Sequence, residues 1–272
     1  MKPHLLTLCA ALLFAAASSA QSALDYAFSS ETQGFYGSLS NDVTVFSESF
    51  DDVVSPPIEI PAFSMGGQIS STLFIYSNGF ISLGTTTGVV NYSPLTTNTN
   101  VSIISPFGAD LQSVDASSRI SYSMDSAGIH VQWENVRRYN VPGESFSFQA
   151  HLLPYDSLIT FVYGGMNNIA TLTTYAQVGL RVGFGVWPDE IACRSVSDNG
   201  FWFPSQAGSA NTFTCAFDND TQPFSGLTYV WANIPDMIGG CTDATACNFN
   251  SFAMYNDGTC DYCSCQVCGC MD

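Results

Sequence analysis

The chain has 272 residues, 46% of them hydrophobic and 20 of them phenylalanine, so it can bury a substantial core and is no disordered acidic tail. It carries 23 acidic residues against six basic ones, a formal net charge of −17, and such a field repels nucleic acid and anionic membrane surfaces. Past its opening segment no stretch approaches the roughly 20 apolar residues of a bilayer crossing, so no membrane-spanning helix is expected.

Residues 1–20 begin with Lys2, run apolar from Leu5 to Ala17 and end in the small residues Ser18 and Ala20. That is the pattern of a cleavable secretory signal, with the cut expected before Gln21. Export follows as the expectation, to the medium or the cell surface. Loss of Lys2, the one lysine, leaves five arginines against all 23 acidic residues, a balance that keeps an extracellular protein hydrated.

From Tyr26 to about Ile234, short runs rich in Val, Ile, Phe and Tyr are punctuated by Gly, Asn, Asp and Pro. This spacing predicts an all-β fold, an antiparallel β-sandwich over residues 21–235. "STLFIYSNGFISLG" is the clearest hairpin, because Asn78 and Gly79 can both take the positive φ of a type I′ turn. A second hairpin, "RISYSMDSAGIHVQWENV", closes around Asp125 to Gly128. In its second strand Ile129, Val131 and Trp133 share the core face, leaving His130, Gln132 and Glu134 outward. Next, Phe146, Phe148, Ala150 and Leu152 alternate against Ser145, Ser147, Gln149 and His151.

The mature chain's two histidines, His130 and His151, therefore fall on solvent-facing sides of strands, outside any nucleophile-elbow or metal-ligand motif. Glu134 is the carboxylate that a two-carboxylate glycosidase would draw on, but spacing singles out no second one. The chain reads as non-catalytic. Binding is better supported. Tyr139, Trp187, Phe201 and Trp202 lie in loop-like segments near Gly, Pro and Asn, where they either stack against sugar rings or cover sandwich edges. Trp133 and Trp231 alternate into the core. Asn-x-Ser/Thr triplets at Asn91, Asn100 and Asn219 would accept glycans in a eukaryotic secretory pathway.

The ordered set "IYSNGFISLG", "ISPFGADL", "VQWENV", "FSFQAHLL", "ITFVYGG" and "AQVGL" resembles the nidogen-type extracellular β-domain. It is more closely similar to a related module of large secreted bacterial proteins, down to the closing "PFSGLTYVW". The resemblance covers roughly residues 26–234 and implies a sandwich that serves in extracellular contacts. One position departs: Gly108 stands where the nidogen-type pattern has an aromatic residue before Ala-Asp, which removes the basis for carrying a role over to Asp110.

After Pro235 the composition breaks into a cysteine-dense tail, with a repeat over 236–268 and the start of a second over 269–272. "GCTDATACNFNSFAMYNDGTCDYC" resembles a short unit that recurs in tandem in secreted bacterial modular proteins. Cys241 and Cys270 open successive units 29 residues apart, so further repeats of the same chain are expected beyond Asp272. Apart from Cys270, the tail holds an even set in Cys241, Cys247, Cys260, Cys263, Cys265 and Cys268, while Cys193 and Cys215 flank "FWFP" in the sandwich and read as a staple. A thiolate zinc cluster is the rival for "CDYCSCQVC"; an oxidising compartment favours disulfides, whose pairing sequence does not select. Asp243, Asn248, Asn250, Asp257 and Asp261 are candidate ligands of a structural calcium ion, or else turn formers.

These features point to a secreted, non-catalytic modular protein for cell-surface or matrix interaction, with an extracellular glycan or protein as ligand. The alternative is a carbohydrate-binding module attached to an enzyme encoded further along.

Overall fold

A computed structural model describes residues 23, 26–88, 92–96, 101–154, 158–183, 192–195, 202–208, 212–233, 239–241, 243–250, 255–256 and 259–262. Two antiparallel sheets pack face to face as a sandwich, as the strand-like runs predict. The eight-stranded sheet runs β1 (Tyr26–Glu31), β15 (Thr228–Asn233), β11 (Leu158–Asn167), β10 (Ser145–Leu153), β9 (Ile129–Arg138), β8 (Arg119–Met124) and β2 (Val43–Ser47), with β7 (Leu111–Ser113) also on β9. The seven-stranded sheet runs β13 (Ala192–Ser195), β12 (Thr174–Val182), β6 (Ser102–Gly108), β5 (Phe80–Leu83), β4 (Gln68–Tyr76) and β3 (Ile58–Met65), with β14 (Cys215–Phe217) on β12.

The alternation read in β9 and β10 holds: Val131, Trp133, Phe146, Phe148, Ala150 and Leu152 are sealed in the core, as is Trp231. Phe107, from the opposite sheet, meets the Phe146 and Phe148 rings at centroid distances of 4.9 and 5.4 Å. The polar tips of two core aromatics are satisfied across the sandwich. Trp133 Nε1 donates to the Tyr76 carbonyl at 2.9 Å, and the Tyr163 hydroxyl to that of Pro106 at 2.9 Å. Each bond ties one sheet to the backbone of the other, so burial of a donor costs nothing in unmade hydrogen bonds.

β5 and β6 are buried on both faces. Their outer side carries a second small core of Tyr76, Phe80, Leu95 and Ile103, closed over by the segment around Pro94–Thr96. The Leu95 N–H donates to Gln177 Oε1 at 2.8 Å, which fixes that cover in place.

Three expectations need correction. Of the Asn78–Gly79 pair only Gly79 has positive φ, 76°, and Tyr76 pairs with Phe80, so the hairpin link has three residues and is not type I′. Asn78 instead turns its amide inward, between Asp52 and the Leu111 N–H. The outward faces of β9 and β10 are not open to solvent, because the segment between β1 and β2 lies across them. Gln149 Nε2 donates to the Gly37 carbonyl at 2.6 Å there, and His130 and His151 are both partly buried. Finally, Cys193 pairs in register with Arg181 and Cys215 with Ala176, five positions apart on β12. That separates them by roughly 16 Å along the strand, well beyond the Cα spacing of a disulfide.

In the tail, β16 (Gly239–Gly240) pairs in parallel with β17 (Tyr255–Asn256), and a Cys241–Cys260 disulfide closes the unit. Cys247 is also disulfide-bonded. Cys263, Cys265 and Cys268 lie outside the described residues, as do residues 1–20.

Candidate functional site

At one end of the sandwich, strand ends and loops enclose a cleft of about 250 Å³. Tyr92, Tyr139 and Tyr175 stand around it with 55%, 45% and 57% of their surface exposed. Each comes from a different part of the chain. Tyr139 follows β9, Tyr175 belongs to β12, and Tyr92 precedes the turn at Pro94–Thr96. That turn packs on Gly108, where an added Cβ would come within 2.6 Å of Pro94 Cγ. The absence of a side chain at Gly108 lets this loop pack close, and the same loop delivers Tyr92 to the cleft.

Arg138 supports the cleft from within and is 3% exposed. Its Nε and Nη2 donate to the two Glu144 oxygens at 2.8 and 2.7 Å. Its Nη1 donates to the Leu172 and Phe217 carbonyls and to Thr174 Oγ1. The guanidinium also lies 5.0 Å over the Phe217 ring. A fully engaged Arg of this kind is a brace, and it holds the turn at Leu172 and the start of β12, which carries Tyr175.

Asp110 lines the same cleft, with its carbonyl accepting the Tyr139 N–H at 2.9 Å. Its carboxyl oxygen lies within 4.8 Å of those of Asp51 and Asp52. Burial raises the Asp110 carboxyl above its ordinary range, and repulsion from Asp52 and Asp51 adds to the rise. Oxygen donors at this spacing are of the type a hard divalent cation takes. Asn78, completely buried, organises this corner: its Nδ2 donates to Asp52 Oδ1 and its Oδ1 accepts the Leu111 N–H, both at 2.9 Å. A wider depression of about 790 Å³ adjoins Asp51 and Asp52 and reaches Asp115 and Arg137.

The expected ligand aromatics divide. Tyr139 lies on the cleft. Trp202 does not: it is 2% exposed, stacks on Phe107 at 5.5 Å and donates its Nε1 to the Ala216 carbonyl at 2.7 Å. Its loop folds back into the core, which local composition could not reveal. Trp187 and Phe201 lie outside the described residues. Tyr92 and Tyr175 were missed; for Tyr175 the signal was present, since it alternates with the core residues Ala176 and Val178.

Glu134 is held by Arg119 Nη2 at 3.2 Å and by Gln132 Nε2 at 3.1 Å. His130 and His151 contact each other through Nδ1 atoms 2.8 Å apart, and burial lowers His151 to a pKa of about 4, helped by the neighbouring His130. Of the tail's candidate calcium ligands, Asp243 accepts from Thr245 N, Thr245 Oγ1 and the Tyr262 hydroxyl. Asn248 donates to the Thr259 carbonyl and accepts the Asp261 N–H. Both work as turn formers here. Asn250 and Asp261 join this backbone network through their own N–H and carbonyl groups, and Asp257 lies outside the described residues.

Two antiparallel sheets packed face to face, with a loop-end cleft, define a β-sandwich module. Residues 25–233 match the model of the family described as NIDO related, and the chain belongs to that family. As a family these modules are extracellular and non-enzymatic. Comparison with curated proteins and with solved structures gave no match. Among the described residues no helix is long and apolar enough to cross a membrane.

Proposed function

We propose that the protein is a secreted, non-catalytic adhesion module whose sandwich makes the contact and whose cysteine-rich repeat is a spacer. The observation that carries this is the cleft of Tyr92, Tyr139 and Tyr175 over the braced Arg138. Exposed rings on a rigid frame offer a stacking surface, and Ser93, Thr174 and Asp110 offer hydrogen-bonding groups to hydroxyls. Neutral sugar units suit it. The −17 charge of the chain and the three carboxylates beside the cleft disfavour sulfated or sialylated ones.

A unit of about 30 residues buries too little surface to stand alone, so disulfides such as Cys241–Cys260 would stiffen an array that holds the head away from its anchor. The alternative, a carbohydrate-binding module serving an enzyme on the same chain, uses the same cleft. A screen of the purified protein against neutral and anionic glycans and matrix proteins tests both readings. Binding weakened about tenfold by Tyr139→Ala or Tyr175→Ala supports the cleft. Retention on one insoluble polysaccharide alone favours the alternative, and binding untouched by either substitution rejects the cleft as the contact.

A further inference from the structure

The outer face of the eight-stranded sheet carries a hydrogen-bonded chain whose proton positions can be worked out from one end. His130 and His151 sit directly opposite each other on β9 and β10. Glu134, paired with Arg119, can only accept, so Gln132 Nε2 donates to it at 3.1 Å. Gln132 Oε1 is then the acceptor for Gln149 Nε2 at 2.6 Å, which also donates to the Gly37 carbonyl. Gln149 Oε1 is left facing His151 Nε2 at 3.1 Å, and it accepts; the His151 proton is therefore on Nε2.

The other ring is fixed in the same sense. His130 Nε2 lies 3.2 Å from Asp125 Oδ1, and that oxygen also accepts the Ala127 and Gly128 N–H groups. A carboxylate oxygen can only accept, so His130 Nε2 carries the proton and donates it in the hydrogen bond. Both rings thus present their Nδ1 atoms to each other, at 2.8 Å. Two bare lone pairs do not rest at that distance, so either a proton on one Nδ1 or a metal ion lies between them.

We propose that this pair is a binding site for a divalent transition metal of imidazole preference, Zn²⁺, Cu²⁺ or Ni²⁺, ligated by Nδ1 of His130 and Nδ1 of His151. Metal-bound histidines characteristically donate their remaining N–H to a carboxylate or carbonyl oxygen, and Asp125 and Gln149 already fill those places. Two nitrogens at about 2.1 Å from a tetrahedral ion stand roughly 3.4 Å apart, so a ring movement of about 0.6 Å opens the pair to one. A cleft of about 250 Å³ beside the two rings, bordered by Ser38, Ser40 and Ser123, has room for water as the remaining ligands. The site shares no residue with the tyrosine cleft and does not depend on its function.

The test is calorimetric titration of the chelator-stripped full chain with Zn²⁺, set against His130→Gln, His151→Gln and Asp125→Asn. The expected result is one equivalent more in the wild type than in either histidine variant, about tenfold weaker uptake at that site in Asp125→Asn, and a Zn²⁺-dependent rise in melting temperature confined to the wild type and Asp125→Asn. Nitrogen NMR of the wild type provides a check that needs no variant: Zn²⁺ should shift Nδ1 of both rings. Unchanged Nδ1 signals, or equal uptake by the histidine variants, would overturn the proposal and leave a shared proton as the bridging cation.

Discussion

Arg138 and Glu144 form a two-point ion pair sealed from solvent, with Arg138 Nε and Nη2 at 2.8 and 2.7 Å from the two carboxylate oxygens. Glu144 also accepts the Arg138 and Ala170 N–H groups, so the pair fastens the end of β9 to the turn entering β12. Removing one partner strands a buried charge. Glu144→Ala is expected to cost about 3–5 kcal/mol, and Arg138→Lys most of that, because an ammonium cannot reproduce the fork. Urea unfolding measures the loss; a change below about 1 kcal/mol would show that the pair is not the brace described.

Trp202 and Tyr139 should separate stability from recognition. Trp202→Ala empties a core position and is expected to cost about 3–5 kcal/mol. Tyr139→Ala should change unfolding by less than about 1 kcal/mol while weakening ligand binding. Melting curves and binding isotherms of the two variants decide the matter, and a stable Trp202→Ala would return that ring to the list of contact residues.

What the sequence made legible follows from what local pattern encodes. Period-two alternation identifies which side of β9 faces in, so Val131 and Trp133 were readable. It does not say whether the other side is covered, and the residues that cover His130 and His151 come from around Gly37, more than ninety positions earlier in the chain. Trp202 was misread for the same reason: a Gly- and Pro-rich neighbourhood predicts a loop, and nothing local predicts that the loop re-enters the core. Tyr92, Tyr139 and Tyr175 meet through strand register and loop packing between distant parts of the chain. The even cysteine set contained Cys241 and Cys260, yet their pairing depended on how β16 and β17 meet.

The raised Asp110 carboxyl gives stability a definite slope with pH. A carboxyl whose folded pKa lies above its unfolded one contributes stability fully below the unfolded value, near 3.9, and loses that contribution as pH rises through the folded value. Asp110→Asn removes the loss. The variant is expected to gain on the wild type between about pH 4 and neutrality by no more than about 1 kcal/mol, since the group is only partly buried and solvent screens it. Denaturant midpoints across that range check it; a variant less stable at pH 7 than the wild type would contradict the assigned repulsion.

The Cys241–Cys260 bond spans 19 residues of separation, and a loop of that size contributes roughly 3 kcal/mol in the chain-entropy account. Cys241→Ser with Cys260→Ser should therefore loosen the tail while leaving the sandwich transition in place. Limited proteolysis followed by mass analysis reads this directly. Cleavage is expected within residues 239–262, and protection equal to the wild type would place the tail's stability elsewhere.

Asn78 offers the sharpest test of the acidic corner. Its amide serves two partners with opposite needs: Nδ2 donates a hydrogen bond to Asp52, and Oδ1 accepts one from the Leu111 N–H. Asn78→Ala leaves that buried N–H without an acceptor and should cost about 1–3 kcal/mol at any pH. Asn78→Asp keeps the acceptor but sets a fourth carboxyl among Asp51, Asp52 and Asp110. In acid, with the carboxyls protonated, it should approach the wild type; at neutral pH, repulsion and lost donation to Asp52 should make it the less stable of the two variants. A crossing of the two stability curves between pH 4 and pH 7 is the expected outcome. Parallel curves would mean that the three aspartates do not act on one another through this corner.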